Sequence, residues 1–230
     1  GTTTLSGTNT YTGTTTVSAG NLNLNSAGTA IAGNLTVAGG TATLQAADQI
    51  ADGKNVVVTS GTLDVASFND TVNGVQITGG TITGTTGALT STTAFDLQAG
   101  TVSAILGGTA GANKTTAGTV TLSKTNTYTG ATTVSAGTLT LGHATNTLAD
   151  ASTVVVSGGT LDLGGNADTV AGVQQTGGTI QNGTLTSTTA FDMQAGTASA
   201  NLAGAVGLDK TTAGTTTLSG TNTYTGTTTV

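Results

Sequence analysis

Cysteine, proline, tryptophan, arginine and glutamate are all absent from this chain of 230 residues. Without cysteine there is no disulfide framework, which suits a polypeptide that crosses a membrane unfolded, where a premature bond would obstruct passage. Without proline every residue after the first keeps its backbone N–H for a neighbouring strand. Charge is scarce as well: four lysines against ten aspartates leave a net charge of −6, the wrong sign for nucleic acid or an anionic membrane surface. No apolar run reaches the roughly 18–20 residues of a membrane-spanning helix, and no charged stretch followed by an apolar core opens the chain. Export and anchoring signals are therefore expected outside these residues.

What is abundant is threonine and glycine, the latter at 37 positions. That composition also suits a flexible linker, so the order of the residues has to decide. Glycines at 20, 40, 61, 80, 100, 118, 137, 159, 178, 196 and 214 recur every 18–22 residues. Three positions before them stand Val17, Val37, Val58, Ile77, Leu97, Thr115, Val134, Val156, Gln175, Met193 and Thr211. Two positions after them stand Leu22, Ala42, Leu63, Ile82, Val102, Val120, Leu139, Leu161, Ile180, Ala198 and Thr216. A third column, four after the glycine, runs from Leu24 and Leu44 through Gly84 and Asn182 to Leu218, with polar residues in between.

That alternation is the pattern of half-buried strands. It predicts an all-β, single-stack parallel β-helix (β-solenoid) of about 11 coils of 18–22 residues, each with two or three short strands and glycine at a corner. A lone coil cannot bury its apolar face, so stability comes from stacking. The column defects Thr115, Gln175, Thr211 and Asn182 are expected to loosen their coils or to make inward hydrogen bonds.

A longer repeat lies above the coil. LSGTNTYTGTTTV at Leu5 to Val17 returns as LSKTNTYTGATTV at Leu122 to Val134 and again at Leu218 to Val230. One continuous solenoid segment over 1–230 is expected, with superunits 5–121 and 122–217 and a third beginning at 218–230. The first superunit is longer mainly by one coil around Gly33 to Leu44. Residues 1–17 and 214–230 are identical, which suggests a window on an array continuing in one long chain or by end-to-end stacking of chains.

These phrases, most fully LSKTNTYTGATTVSAGTLTLG at Leu122 to Gly142, resemble the autotransporter-associated β-strand repeat of Gram-negative bacteria. The resemblance implies a right-handed parallel β-helix in the passenger of a type V secreted or similarly large surface protein at the extracellular face of the cell, with roles in adhesion or biofilm formation.

The residues do not mark a catalytic centre. Lyases of this shape resemble one another in using aspartate-bound calcium and a basic residue, commonly arginine, which is missing here. Glycosidases need two carboxylates at a set separation. The aspartates are instead scattered and duplicated, Asp52 with Asp150, Asp64 with Asp162, Asp70 with Asp168 and Asp96 with Asp192; they read as solvated turn and outward strand residues. His143 is the sole histidine and reads as a surface turn residue without a partner for a metal site. Tyr11, Tyr128 and Tyr224, like Phe95 and Phe191, read as packing residues.

Thr-x-Thr pairs such as Thr41 and Thr43 or Thr138 and Thr140 raise an ice-binding reading, but Asp64, Asp162, Gln181 and Asn23 break the second position. No catalytic, cofactor-binding or metal-binding residue is assigned, and no cofactor. The expected function is a rigid extracellular stalk or filament segment, not an enzyme; a self-assembling matrix fibre is the alternative. Expected partners are neighbouring coils or chains end to end and cell-surface or matrix glycans or proteins, with no nucleic acid and no membrane insertion. Contacts are sought first in the longer loops, Gln45 to Lys54 and His143 to Ser152.

Overall fold

The computed structural model describes all residues 1–230. It holds 28 strands and no helix, in two compact units, Gly1–Ala110 and Gly111–Val230. Each unit is a parallel β-solenoid, about 12 turns in all.

In the first unit one face stacks Thr2–Leu5, Asn21–Leu24, Thr41–Leu44, Thr62–Asp64, Thr81–Ser91 and Gly100–Gly107. The second face stacks Thr15–Val17, Leu35–Val37, Asn55–Val58, Gly74–Ile77 and Phe95–Leu97. A third, shorter face sets Asp70–Val72 against Leu89–Ser91. The second unit repeats the plan. Its third face, Ala167–Val170, Thr184–Ser187 and Asn201–Ala203, is a sheet of its own. The additional coil expected in the first superunit is a complete turn: Leu35–Val37 and Thr41–Leu44 each pair on both sides.

Register places like on like. Val17, Val37, Val58 and Ile77 stand in successive partner positions, as do Val120, Leu139, Leu161, Ile180 and Ala198. Nearly all of these are fully buried. Burying a Val, Leu or Ile side chain contributes about 1.5–3 kcal/mol, and each buried residue touches the coils before and after it.

The columns differ from the sequence reading at the defects. Lys114, not Thr115, partners Val134; Lys114 is fully buried and Thr115 exposed. The segment from Lys114 to Gly118 holds one residue more than its counterparts, so counting back from the glycine lands outside the strand. Lys114 Nζ donates to the carbonyls of Thr116 and, at 3.3 Å, Ala136. In the second copy Lys210, only half-buried, donates from Nζ to Thr212 O, and Thr211 is exposed. Leu218, not Thr216, pairs with Ala198.

Asn182 does not point inward either. It is exposed in a turn with φ 56°, its amide reaching Asp162 at 3.1–3.2 Å. Gln175 is buried as expected and donates inward to Gly178 O at 3.1 Å and Thr197 O at 3.0 Å.

The corner glycines are required by close approach. A Cβ on Gly80 would lie 2.4 Å from the carbonyl oxygen of Gly61, and one on Gly178 2.2 Å from that of Gly159. Both also have positive φ, 69° and 65°, where L side chains are strained.

Candidate functional site

Two features recur in both units and carry the polar chemistry. The first is a buried carboxylate beneath each longer loop. Asp70 opens its third-face strand and Asp168 is the second residue of its own, each in phase with Val72 or Val170, so their side chains turn inward; they are 1% and 2% exposed. Asp70 Oδ2 accepts the backbone N–H groups of Gln49 at 2.9 Å and Ile50 at 3.0 Å. Asp168 Oδ2 accepts that of Leu148 at 3.0 Å. In both residues Oδ1 is buried without a hydrogen-bond partner. Burial pushes the Asp70 carboxyl up to about 7 and that of Asp168 to about 6, against the backbone donors that favour the charged form.

The solvated reading of the aspartates therefore fails at these two positions. There the alternation of the strand carries the aspartate inward, and the loop N–H groups it meets offset only part of the cost of burying its charge. The signal was present in the sequence: Asp-Thr-Val alternates with the aspartate on the buried side of the strand. In the first unit Gln49 extends the pin. It is fully buried, its Oε1 accepts Ser26 N at 2.7 Å, and its Nε2 donates to the carbonyls of Ser26, Gly28 and Ala47. The loops named as contact sites are thus tied to the adjacent coils from below.

The second feature is a shallow open groove on the outside of the second face. In the first unit it measures about 240 Å³ and is lined by Asn55, Val57, Gly74, Gln76, Thr93, Ala94 and Asp96 among others. In the second it measures about 290 Å³ with Thr153, Val155, Gly172, Gln174, Thr189, Ala190 and Asp192 in the same places. Gln76 and Gln98 both donate to Asp96 Oδ2, at 2.6 and 2.8 Å. Gln174 donates to Asp192 Oδ2 at 2.7 Å, and Gln194 to its Oδ1. Such carboxylate–carboxamide ladders offer hydrogen bonds to a partner's hydroxyl or amide groups; the lining holds no histidine, cysteine or basic residue.

The remaining candidates are structural. His143 lies in a surface turn, its Nδ1 2.6 Å from Thr145 O and 3.4 Å from Thr125 Oγ1. Each tyrosine bonds the threonine four residues on: Tyr11 to Thr15 at 2.8 Å, Tyr128 to Thr132 at 2.8 Å and Tyr224 to Thr228 at 2.9 Å. Tyr128 is fully buried, whereas Tyr11 is 40% exposed. Phe95 and Phe191 are core residues. No group of three histidine, cysteine, aspartate or glutamate side chains is placed to hold a metal ion.

Of the Thr-x-Thr pairs, the first position forms the ladder Thr119, Thr138, Thr160, Thr179 and Thr197, while the second passes from Thr121 and Thr140 to Asp162 and Gln181. The array is thus one threonine wide.

No curated protein and no solved structure matches the chain. A family model does: the passenger-associated-transport-repeat matches residues 1–24, 113–141, 135–163 and 208–230. Three of the four matches cover the segments around Tyr11, Tyr128 and Tyr224, where the same tyrosine–threonine bond recurs, and the fourth, 135–163, follows on the second of these. Those segments are similar to the passenger-associated-transport-repeat, a repeat family of autotransporter passenger domains.

Proposed function

We propose that this chain is a rigid stalk or filament segment of a repetitive surface protein at the outer face of a Gram-negative cell, holding contact regions away from the membrane and so supporting adhesion or biofilm formation. The observation that carries this reading is the parallel register that stacks like on like within each unit. A continuous interstrand ladder resists bending because every coil is hydrogen-bonded to the next. The passenger-repeat match supports a secreted or surface location. The role is mechanical, without catalysis. Its partners are the glycans or proteins of neighbouring surfaces, met through the acidic polar exterior.

The test combines intact mass of the native polypeptide under denaturing conditions with electron microscopy of the undenatured material. A chain many times longer than 230 residues, seen as single thin rods on cells, supports the stalk. Long fibres made of chains near this size would overturn it in favour of assembly between molecules. In a displayed passenger, deleting whole coils is expected to shorten the rod and lower cell-to-surface attachment without unfolding the rest; attachment independent of length would count against a stalk.

A further inference from the structure

The buried carboxylates are not required by a merely mechanical role, since an apolar residue fills the equivalent column elsewhere at lower cost. Their geometry is that of a neutral acid. Backbone N–H groups reach Oδ2 of both residues, with Thr147 and Thr169 also favouring the charged form of Asp168, while Oδ1 is buried without a hydrogen-bond partner in both and is the oxygen left to carry a proton. The charged neighbours do not compensate a negative charge. The loop over Asp70 carries Asp48, Asp52 and Lys54, and the two aspartates raise its affinity for a proton. The loop over Asp168 carries His143 and Asp150, of which Asp150 acts in the same direction. Tyr128, whose own phenol is raised by burial, also faces Asp168. On the other side, the partner segments Leu89–Ser91 and Thr184–Ser187 carry no ionisable group.

We propose that Asp70 and Asp168 are acid-set latches: protonated, each holds the loop of the preceding coil closed, and loss of the proton frees that loop, Gln45 to Lys54 or His143 to Ser152, as the medium approaches neutrality.

The sign follows from linkage. A carboxyl raised from 3.8 to about 7 or about 6 in the closed state keeps its proton over a range in which the open, hydrated carboxyl has lost it. Closure is fully favoured below about 4. Across that range each pH unit costs the closed state up to about tenfold against the open one, and above the folded value the cost levels off. This is opposite to ordinary acid denaturation. The loop over Asp168 reaches its open plateau first, about one pH unit below the loop over Asp70.

Amide hydrogen exchange on the full chain from pH 4 to pH 8, corrected for intrinsic rates, tests this. Protection of Gln49 and Ile50 is expected to fall at least tenfold, that of Leu148 to level off at lower pH, and that of the strand amides Val56 and Val154 to stay flat. Asp70→Asn is expected to abolish the pH dependence at Gln49 and Ile50 only, and Asp168→Asn that at Leu148 only. Flat protection in the parent chain, or a slope that survives Asp70→Asn, overturns the proposal. Should the variants fail to fold, carboxyl carbon-13 titration of the parent decides: midpoints near 7 for Asp70 and near 6 for Asp168 support the latches, and both carboxyls titrating in the ordinary aspartate range refute them.

Discussion

The two units turn the same corner in two ways. In the first, Thr81–Ser91 is one strand that serves two faces, and its register against Gly100–Gly107 slips between Thr83 and Ala88. In the second, Thr179–Gln181 stops, Asn182 and Gly183 turn with φ of 56° and 153°, and Thr184–Ser187 starts afresh. Two fewer residues lie between Ile180 and Leu185 than between Ile82 and Leu89. Yet Leu89 partners Asp70 just as Leu185 partners Asp168. Corner length is therefore free within limits, while the pairing of strands on either side is not.

The largest effect should appear where the units agree. Gly80→Ala and Gly178→Ala place a Cβ against a carbonyl oxygen at 2.4 and 2.2 Å on a backbone of positive φ. Each is expected to cost on the order of 3 kcal/mol, read as a fall in the denaturation midpoint. If one is tolerated, the two corners are not equivalent after all.

Next come the tyrosines, alike in bonding and unlike in burial. Tyr128→Phe leaves the hydroxyl of buried Thr132 without its partner and should cost about 1–2 kcal/mol. Tyr11→Phe, whose bond to Thr15 is exposed, should cost less than about 0.5 kcal/mol. Equal losses in thermal unfolding would show that burial is not what separates them.

The smallest test exchanges a difference between units. Ala66 has φ 50° where its counterpart Gly164 has φ 62°. Ala66→Gly is expected to stabilise the first unit by about 1 kcal/mol by relieving left-handed strain. Gly164→Ala, with Leu141 O 2.8 Å from the new Cβ, should lose at least as much. An Ala66→Gly variant that melts lower would refute the strain account.

The architecture was legible because a solenoid writes its core as columns. Val17, Val37, Val58 and Ile77 align by counting alone, and the structure pairs them. Counting failed where a corner changes length. Anchoring on glycine put Thr115 in the core, whereas the alternation of Ala112–Lys114, read from the strand outwards, puts Lys114 there. A buried lysine also contradicts residue preference; the carbonyls of Thr116 and Ala136 help to make it tenable. Asp70 and Asp168 were missed for the same reason, since their charge was weighed above their place in the alternation. The outer grooves left no mark in the pattern, because they depend on Gly74 and Gly172 lying between taller neighbours on adjacent coils.

The additional turn formed by Leu35–Val37 and Thr41–Leu44 fits between its neighbours without altering the way either side pairs. For such a molecule, copying or dropping a whole rung is a milder change than replacing one corner glycine by alanine. The number of turns can then change in whole steps, in either direction, each addition or loss leaving the pairing of the turns on either side as it was.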